Sequence, residues 1–192
     1  FFLINEDTKE LLIIDPADRA QGIIDWIQSE GLKPVAILLT HGHFDHIMAV
    51  EGLRKEYQIP MYASKDEVEV LANPQLNVST MMGAYVSMKA DELFADGDVL
   101  ELAGMKLKVI STPGHTIGSV CFYIEEEKML ISGDTLFEAS VGRTDFPTGS
   151  SRQLIHSIKT RLFILPEDVN VFPGHGEVTS IAYEKTHNPF IF

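Results

Sequence analysis

The sequence predicts an α+β fold: two mixed β-sheets packed face to face, with helices on the outer faces. Three observations carry this. Strand-type and helical-type runs alternate in the first half of the chain, a series of short strands follows, and a helix and a strand come last. No βαβ unit repeats throughout, and sheets that bury one face against each other need helices only on the outside. With 192 residues, 45% hydrophobic and 22% charged, the chain can bury one substantial core, and one domain over residues 1–192 is expected.

Phe1 to Ile4 and Leu11 to Ile14 are apolar runs separated by the polar turn Asn5-Glu6-Asp7-Thr8, a hairpin ended by Asp15-Pro16. Because the first residue is Phe1, the numbered chain is expected to begin inside a strand, without its extreme N-terminal residues. From Asp18 to Glu30, Ala20, Ile23, Ile24 and Ile27 recur at helical spacing, with Gly31 placed as a C-terminal cap. Val35 to Leu39 is short, continuous and aliphatic, which reads as a buried strand. Ile47 to Tyr57 returns to helical spacing, and Ser64 to Glu67 has the capping-box pattern that opens a short helix.

Residues 73–98 are less regular. Met81, Met82, Tyr85 and Met88 are assigned to core gaps, since Met and aromatic residues commonly fill them, with a substrate cleft as the alternative. Asp96-Gly97-Asp98 is a turn that introduces strands at Val99 to Leu102, Met105 to Ile110, Val120 to Ile124 and Met129 to Ile131. A helix over Ser151 to Phe163 and a strand over Val169 to Phe172 complete the prediction.

The organising stretch is Thr40-His41-Gly42-His43-Phe44-Asp45-His46, on the loop leaving the buried strand. Neutral imidazole and carboxylate are ligands for Zn²⁺ and similar borderline metals. Four candidate ligands on one loop strain a single-metal reading. Gly42 would let the backbone turn so that His41 and His43 could hold one ion, and Asp45 and His46 a second. The alternative is a His-rich surface loop that binds no metal. Three further residues favour the metal. His115, Asp134 and His175 each follow a strand and a glycine, in Pro113-Gly114-His115, Ser132-Gly133-Asp134 and Pro173-Gly174-His175. His156, mid-helix, and His187, in the polar tail, lack that context and read as structural or solvent-facing. Asp15, also at a strand end, is either a partner for a ligand histidine or a turn former.

Composition narrows the function. A formal charge of −13 without Lys or Arg clusters argues against a nucleic-acid partner. The single cysteine, Cys121, cannot form an internal disulfide, which points to a reducing compartment and a cytoplasmic location. No apolar run approaches the roughly 20 residues of a membrane span, so no membrane partner is expected. There is no G-x-S-x-G motif, and Cys121 lies inside an apparent strand, so no side-chain nucleophile competes with a metal.

The run His41-Gly42-His43-Phe44-Asp45-His46, with His115, Asp134 and His175, resembles the metallo-β-lactamase superfamily over nearly the whole chain. Within it, the chain looks like a short, single-domain form of the glyoxalase II-type hydrolases (hydroxyacylglutathione hydrolases). The resemblance implies a four-layer αβ/βα sandwich. It also implies that His41, His43 and His115 bind one metal, that Asp45, His46 and His175 bind the other, and that Asp134 bridges both. Asp134 stands where many true β-lactamases of the superfamily carry Cys, which points away from antibiotic hydrolysis. The C-terminal helical domain of full-length glyoxalase II enzymes is not expected in this short form. Where those enzymes present a Lys and a Tyr to glutathione, this one has Val141-Gly142-Arg143-Thr144-Asp145-Phe146. Arg143 could replace the Lys as a carboxylate anchor, and Arg143 and Phe146 are the expected substrate-binding residues. The same Gly-Arg-Thr-Asp-Phe run looks like that of persulfide dioxygenases, a sister group that uses one iron ion.

The chemistry expected from this resemblance is metal-assisted hydrolysis of a small-molecule thioester, with a glutathione-derived compound as the expected substrate. Two divalent ions roughly 3.5 to 4 Å apart share a bridging water and lower its pKa from about 15.7 toward 7. Zinc is the expected metal, with iron or manganese accepted by the same N/O ligands. Asp134 and Asp45 are the expected catalytic residues, Asp134 by holding the metals and orienting the water. The alternatives are a mononuclear iron persulfide dioxygenase and a metal-binding domain without turnover.

Overall fold

The computed structural model describes residues 1–191. Strands β1 (Phe2–Ile4) and β2 (Glu10–Ile14) form the N-terminal hairpin, with register Phe2 opposite Ile13. Helix α1 (Ala20–Glu30) follows and ends at Gly31, whose φ of 63° is the left-handed cap the sequence called for. Strand β3 (Lys33–Leu38) leads to a four-residue helix α2 (Phe44–Ile47) and then α3 (Val50–Tyr57). The expected single helix from Ile47 is thus two helices, and the metal-loop residues Asp45 and His46 lie inside the first. Strand β4 (Met61–Ser64), a 3₁₀ turn at Lys65–Glu67, helix α4 (Val68–Ala72) and strand β5 (Glu92–Phe94) complete the first half.

The second half carries β6 (Val99–Leu102), β7 (Met105–Ser111), β8 (Val120–Ile124) and β9 (Met129–Gly133), then the small hairpin β10 (Leu136–Phe137) and β11 (Ser140–Val141). Helix α5 (Ser151–Ser157) runs into a π-helical turn at Ile158–Leu162. Strand β12 (Asn170–Pro173), β13 (Thr179–Ser180) and helix α6 (Ile181–His187) close the chain.

Both large sheets are mixed, as predicted. The first has order β1-β2-β3-β4-β5, antiparallel at β1/β2 and parallel elsewhere. The second has order β13-β12-β9-β8-β7-β6, with β12 and β9 as its parallel pair. Strand β2 shows why the layers form. Its residues alternate between faces, so Leu11 and Ile13 pack outward against Ile24, Ile27 and Leu53, while Leu12 and Ile14 face Phe122 and Ile131 of the other sheet. Strand β8 does the same from its side. Val120, Phe122 and Ile124 fill the space between the sheets, and Cys121 and Tyr123 pack against Leu154, Ile158 and Ile181. Strands buried on both faces read as continuous apolar runs, and the result is the four-layer αβ/βα sandwich.

Three further expectations fail. Met81, Met82 and Tyr85 are 68%, 67% and 84% exposed, so only Met88 of that group, at 7%, is core. Ser64 caps its turn by accepting from Asp66 N, but Glu67 does not reach back to Ser64; it is buried and turned toward the metal loop. Gly42 has no left-handed φ; a Cβ there would press on Leu71 and Val70 at 3.1–3.2 Å, so the glycine answers to space and not to a turn.

Candidate metal centre

All seven predicted ligands converge where the two sheets meet. His41 and His43 follow β3, His115 follows β7, Asp134 follows β9 and His175 follows β12. The parallel pairing that sets Pro173 beside Gly133 brings Asp134 and His175 together, and Gly174 N donates to Gly133 O at 2.8 Å. The sheets are tied at this edge by Val120 N, which donates to Thr40 O at 2.9 Å. Gly174 is required by close approach, since a Cβ there would overlap Asp134 Oδ1. Gly133 needs both its φ of 50° and its missing Cβ, which would collide with the Thr40 side chain.

Three groups of potential ligand atoms result, each within 4.8 Å; in Asp15, His41 and His46 the carboxylate is already the hydrogen-bond partner of His46, which leaves two groups facing the cluster, His41, His43 and His115, all buried, and Asp45, His46 and His175. Asp134 stands between them. Its Oδ1 is 3.5 Å from His46 Nε2, and its Oδ2 is 3.5 Å from His115 Nε2 and 3.7 Å from His175 Nε2. The second group is the more open, with the Asp45 and His175 side chains 39% and 55% exposed.

The hydrogen bonds behind the histidines orient them. Thr40 Oγ1 donates to Asp15 Oδ2 at 2.6 Å, so at 3.1 Å it is left to accept from His41 Nδ1. His46 Nδ1 lies 3.1 Å from the same Asp15 oxygen, and His115 Nδ1 is 2.7 Å from Arg143 O. With Nδ1 engaged in each of the three, Nε2 points inward; it is without a partner in His41 and His46, and in His115 it lies 2.8 Å from His43 Nδ1. Asp15 combines features of both readings, a hydrogen-bond partner of His46 and a turn residue with a left-handed φ of 48°.

Burial drives the electrostatics of the first group. Desolvation, followed by the neighbouring imidazoles, holds His41 well below its ordinary value and His43 at about 3; burial also lowers His115. These rings are neutral, the form that ligates metal. Burial would lower His46 as well, but the hydrogen bond and charge of Asp15, then Asp134 and Asp45, lift it to about 9. Burial raises Asp134 against the opposing histidines.

The residues fit a divalent metal. Among the described residues, four buried side-chain polar atoms lack any hydrogen-bond partner, His41 Nε2, His43 Nε2, His46 Nε2 and Asp134 Oδ1, and all belong to this cluster. Orphaned buried donors and acceptors are costly unless something satisfies them.

At the rim, the Phe146 ring lies edge-on to His43 at 5.5 Å between centroids, with the Arg143 guanidinium 3.8 Å over its face. Arg143 also forms a two-point pair with Asp145, both contacts at 2.7 Å. His156 and His187 lie on exposed faces, His187 stacked on Tyr183. Sequence reasoning missed Thr40 and Glu67. Thr40 opens the histidine run, and its adjacency was the only signal for it; Glu67 carried a signal that pointed to a different role. Among the described residues, no helix is long and apolar enough to cross a membrane.

The chain is 35% identical over 192 residues to the hydroxyacylglutathione hydrolase GloC of Haemophilus influenzae, covering 98% of this chain and 91% of that protein. Two solved structures superpose closely. One is a protein named BLEG-1 B3 metallo-β-lactamase, with TM-score 0.94 and 42% identity over 99% of this chain and 92% of the other. The other is TTHA1623 in a di-iron-bound form, with TM-score 0.87 and 34% identity over 99% and 93%. The family model of the metallo-β-lactamase superfamily matches residues 1–175, a span that holds both sheets through β12 and all seven convergent side chains, and the chain belongs to that superfamily.

Proposed function

We propose that this protein is a dinuclear metallohydrolase that cleaves a thioester, with a hydroxyacylglutathione-type compound as substrate. The observation that carries the reading is the position of Asp134, one carboxylate facing both ligand groups at 3.5 Å. His41, His43 and His115 would hold one ion, Asp45, His46 and His175 the other, and Asp134 would be shared. The di-iron form of TTHA1623 supports two ions, and the likeness to GloC supports the substrate class. Zinc is the expected metal, with iron or manganese taken by the same ligands.

Bound at these residues, two divalent ions would supply Lewis acidity, lowering the pKa of water and polarising an acyl oxygen. The chain's own residues do the rest. Asp15 and the Arg143 carbonyl hold Nδ1 of His46 and His115, which turns the Nε2 atoms of both rings toward the cluster. Asp134, an acceptor on both sides, orients water between the two groups. Phe146 walls the site beside His43, and Arg143 at its edge offers a planar fork to a substrate carboxylate. A thiol leaving group is acidic enough to depart without a dedicated proton donor, and the thioester reading needs none.

A second reading rests on the asymmetry of the groups. The first is fully buried and the second half open, so a protein that fills only the first with iron would be a persulfide dioxygenase. The resemblance to a protein named a B3 metallo-β-lactamase makes a β-lactam the other substrate to test. The experiment assays metal-loaded protein against a hydroxyacylglutathione, a carboxylate-free thioester, a β-lactam and, with an oxygen electrode, glutathione persulfide. Fastest turnover of the hydroxyacylglutathione is expected. Oxygen uptake on the persulfide without thioester cleavage, or a β-lactam as the best substrate, would replace this reading.

A further inference from the structure

Glu67 is only 1% exposed, yet it lies in none of the ligand groups. Its carboxylate accepts three hydrogen bonds from two separate loops. Gly42 N, between ligands His41 and His43, donates to Oε1 at 2.9 Å. Gly118 N donates to Oε2 at 2.8 Å and Thr116 Oγ1 to the same oxygen at 3.0 Å, both just after His115. The backbone around Glu67 is packed to match. A Cβ on Gly118 would lie 2.5 Å from Glu67 Oε2, and one on Gly42 would press on Leu71 and Val70 of the helix that Glu67 precedes.

We propose that Glu67 is a positioning residue for the metal centre, a buried carboxylate that clamps the His41–His43 loop to the His115 loop and so fixes the three imidazoles of the first group relative to one another. The inference rests on the metal-binding reading of those histidines. A carboxylate suits the task because each oxygen accepts without a proton of its own, so both loops can present donors. Glutamine has the same shape but one acceptor. Its amide NH₂ must face either Gly42 N–H or Gly118 N–H, and a donor facing a donor pushes one loop away. His43 Nδ1 and His115 Nε2 are 2.8 Å apart across the two loops, so a small shift of either loop changes that distance directly.

The test titrates Co²⁺ into the full, metal-free chain and follows its d–d absorption. Three variants are compared with the unsubstituted protein: Glu67→Gln, Thr116→Val and Glu184→Gln. Glu184 is the matched control. It is fully buried and also has three partners, Ala139 N, Thr179 Oγ1 and Asn188 Nδ2, none in a ligand loop. Glu67→Gln and Glu184→Gln should both lower the melting temperature. Of these two, Glu67→Gln alone should weaken Co²⁺, by roughly 10- to 100-fold, and alter the shape of its absorption band. If Glu67→Gln does not fold, Thr116→Val decides, with a smaller weakening in the same direction expected. Unchanged affinity in the Glu67 or Thr116 variant, or equal weakening in Glu184→Gln, would overturn the clamp. No Co²⁺ binding by the unsubstituted protein would instead overturn the metal reading beneath it.

Discussion

Asp15 Oδ2 lies 3.1 Å from His46 Nδ1, both side chains almost wholly buried, although 31 residues separate them. The same carboxylate accepts from Thr40 N and Thr40 Oγ1, and Thr40 in turn accepts from His41. One acid therefore orients a histidine of each ligand group. Asp15→Asn keeps the shape but removes the charge that lifts His46. Metal affinity should fall by roughly 10- to 100-fold, with an ion lost first from the more open second group. Isothermal titration with Zn²⁺ measures this, and unchanged affinity would leave Asp15 a turn residue.

Asp134→Asn should remove activity while leaving the fold intact. A neutral amide shares two cations poorly, and the side chain touches both groups through different oxygens. Thioester turnover should drop by more than about a hundredfold, with one ion retained per chain. Near-normal turnover with two ions bound would refute the bridging role.

Arg143 offers a weaker lever than its sequence context suggests, because Asp145 already occupies its fork. A substrate carboxylate must compete with that pair. Arg143→Ala should raise KM for a glutathione thioester roughly tenfold, with little change for a thioester lacking carboxylates. Asp145→Asn should do the reverse and lower KM for the charged substrate. Equal effects on charged and uncharged thioesters would make Arg143 a structural residue of the rim.

The layers were legible because strands buried on both faces are unbroken apolar runs, as at Leu11 to Ile14 and Val120 to Ile124. The seven convergent side chains were legible for a local reason, a strand and a glycine before His115, Asp134 and His175, and four polar groups packed into six residues at His41 to His46. Strands β4 and β5 were not, being four and three residues long and flanked by Pro60 or by the irregular segment before Glu92. That segment has no periodicity, so nothing in it told an outward Met81 from an inward Met88. Glu67 was hidden by a plausible local role. Its partners lie 25, 49 and 51 residues away, and only the fold brings them to it.

The central claim is that two ions, shared through Asp134, hydrolyse a thioester. Titrating Zn²⁺ into metal-free protein while recording both bound metal and hydroxyacylglutathione hydrolysis tests it most directly. Two ions per chain are expected, with most activity appearing only with the second equivalent. Full thioester turnover at one ion per chain, or two bound ions with no thioester hydrolysis, would contradict it.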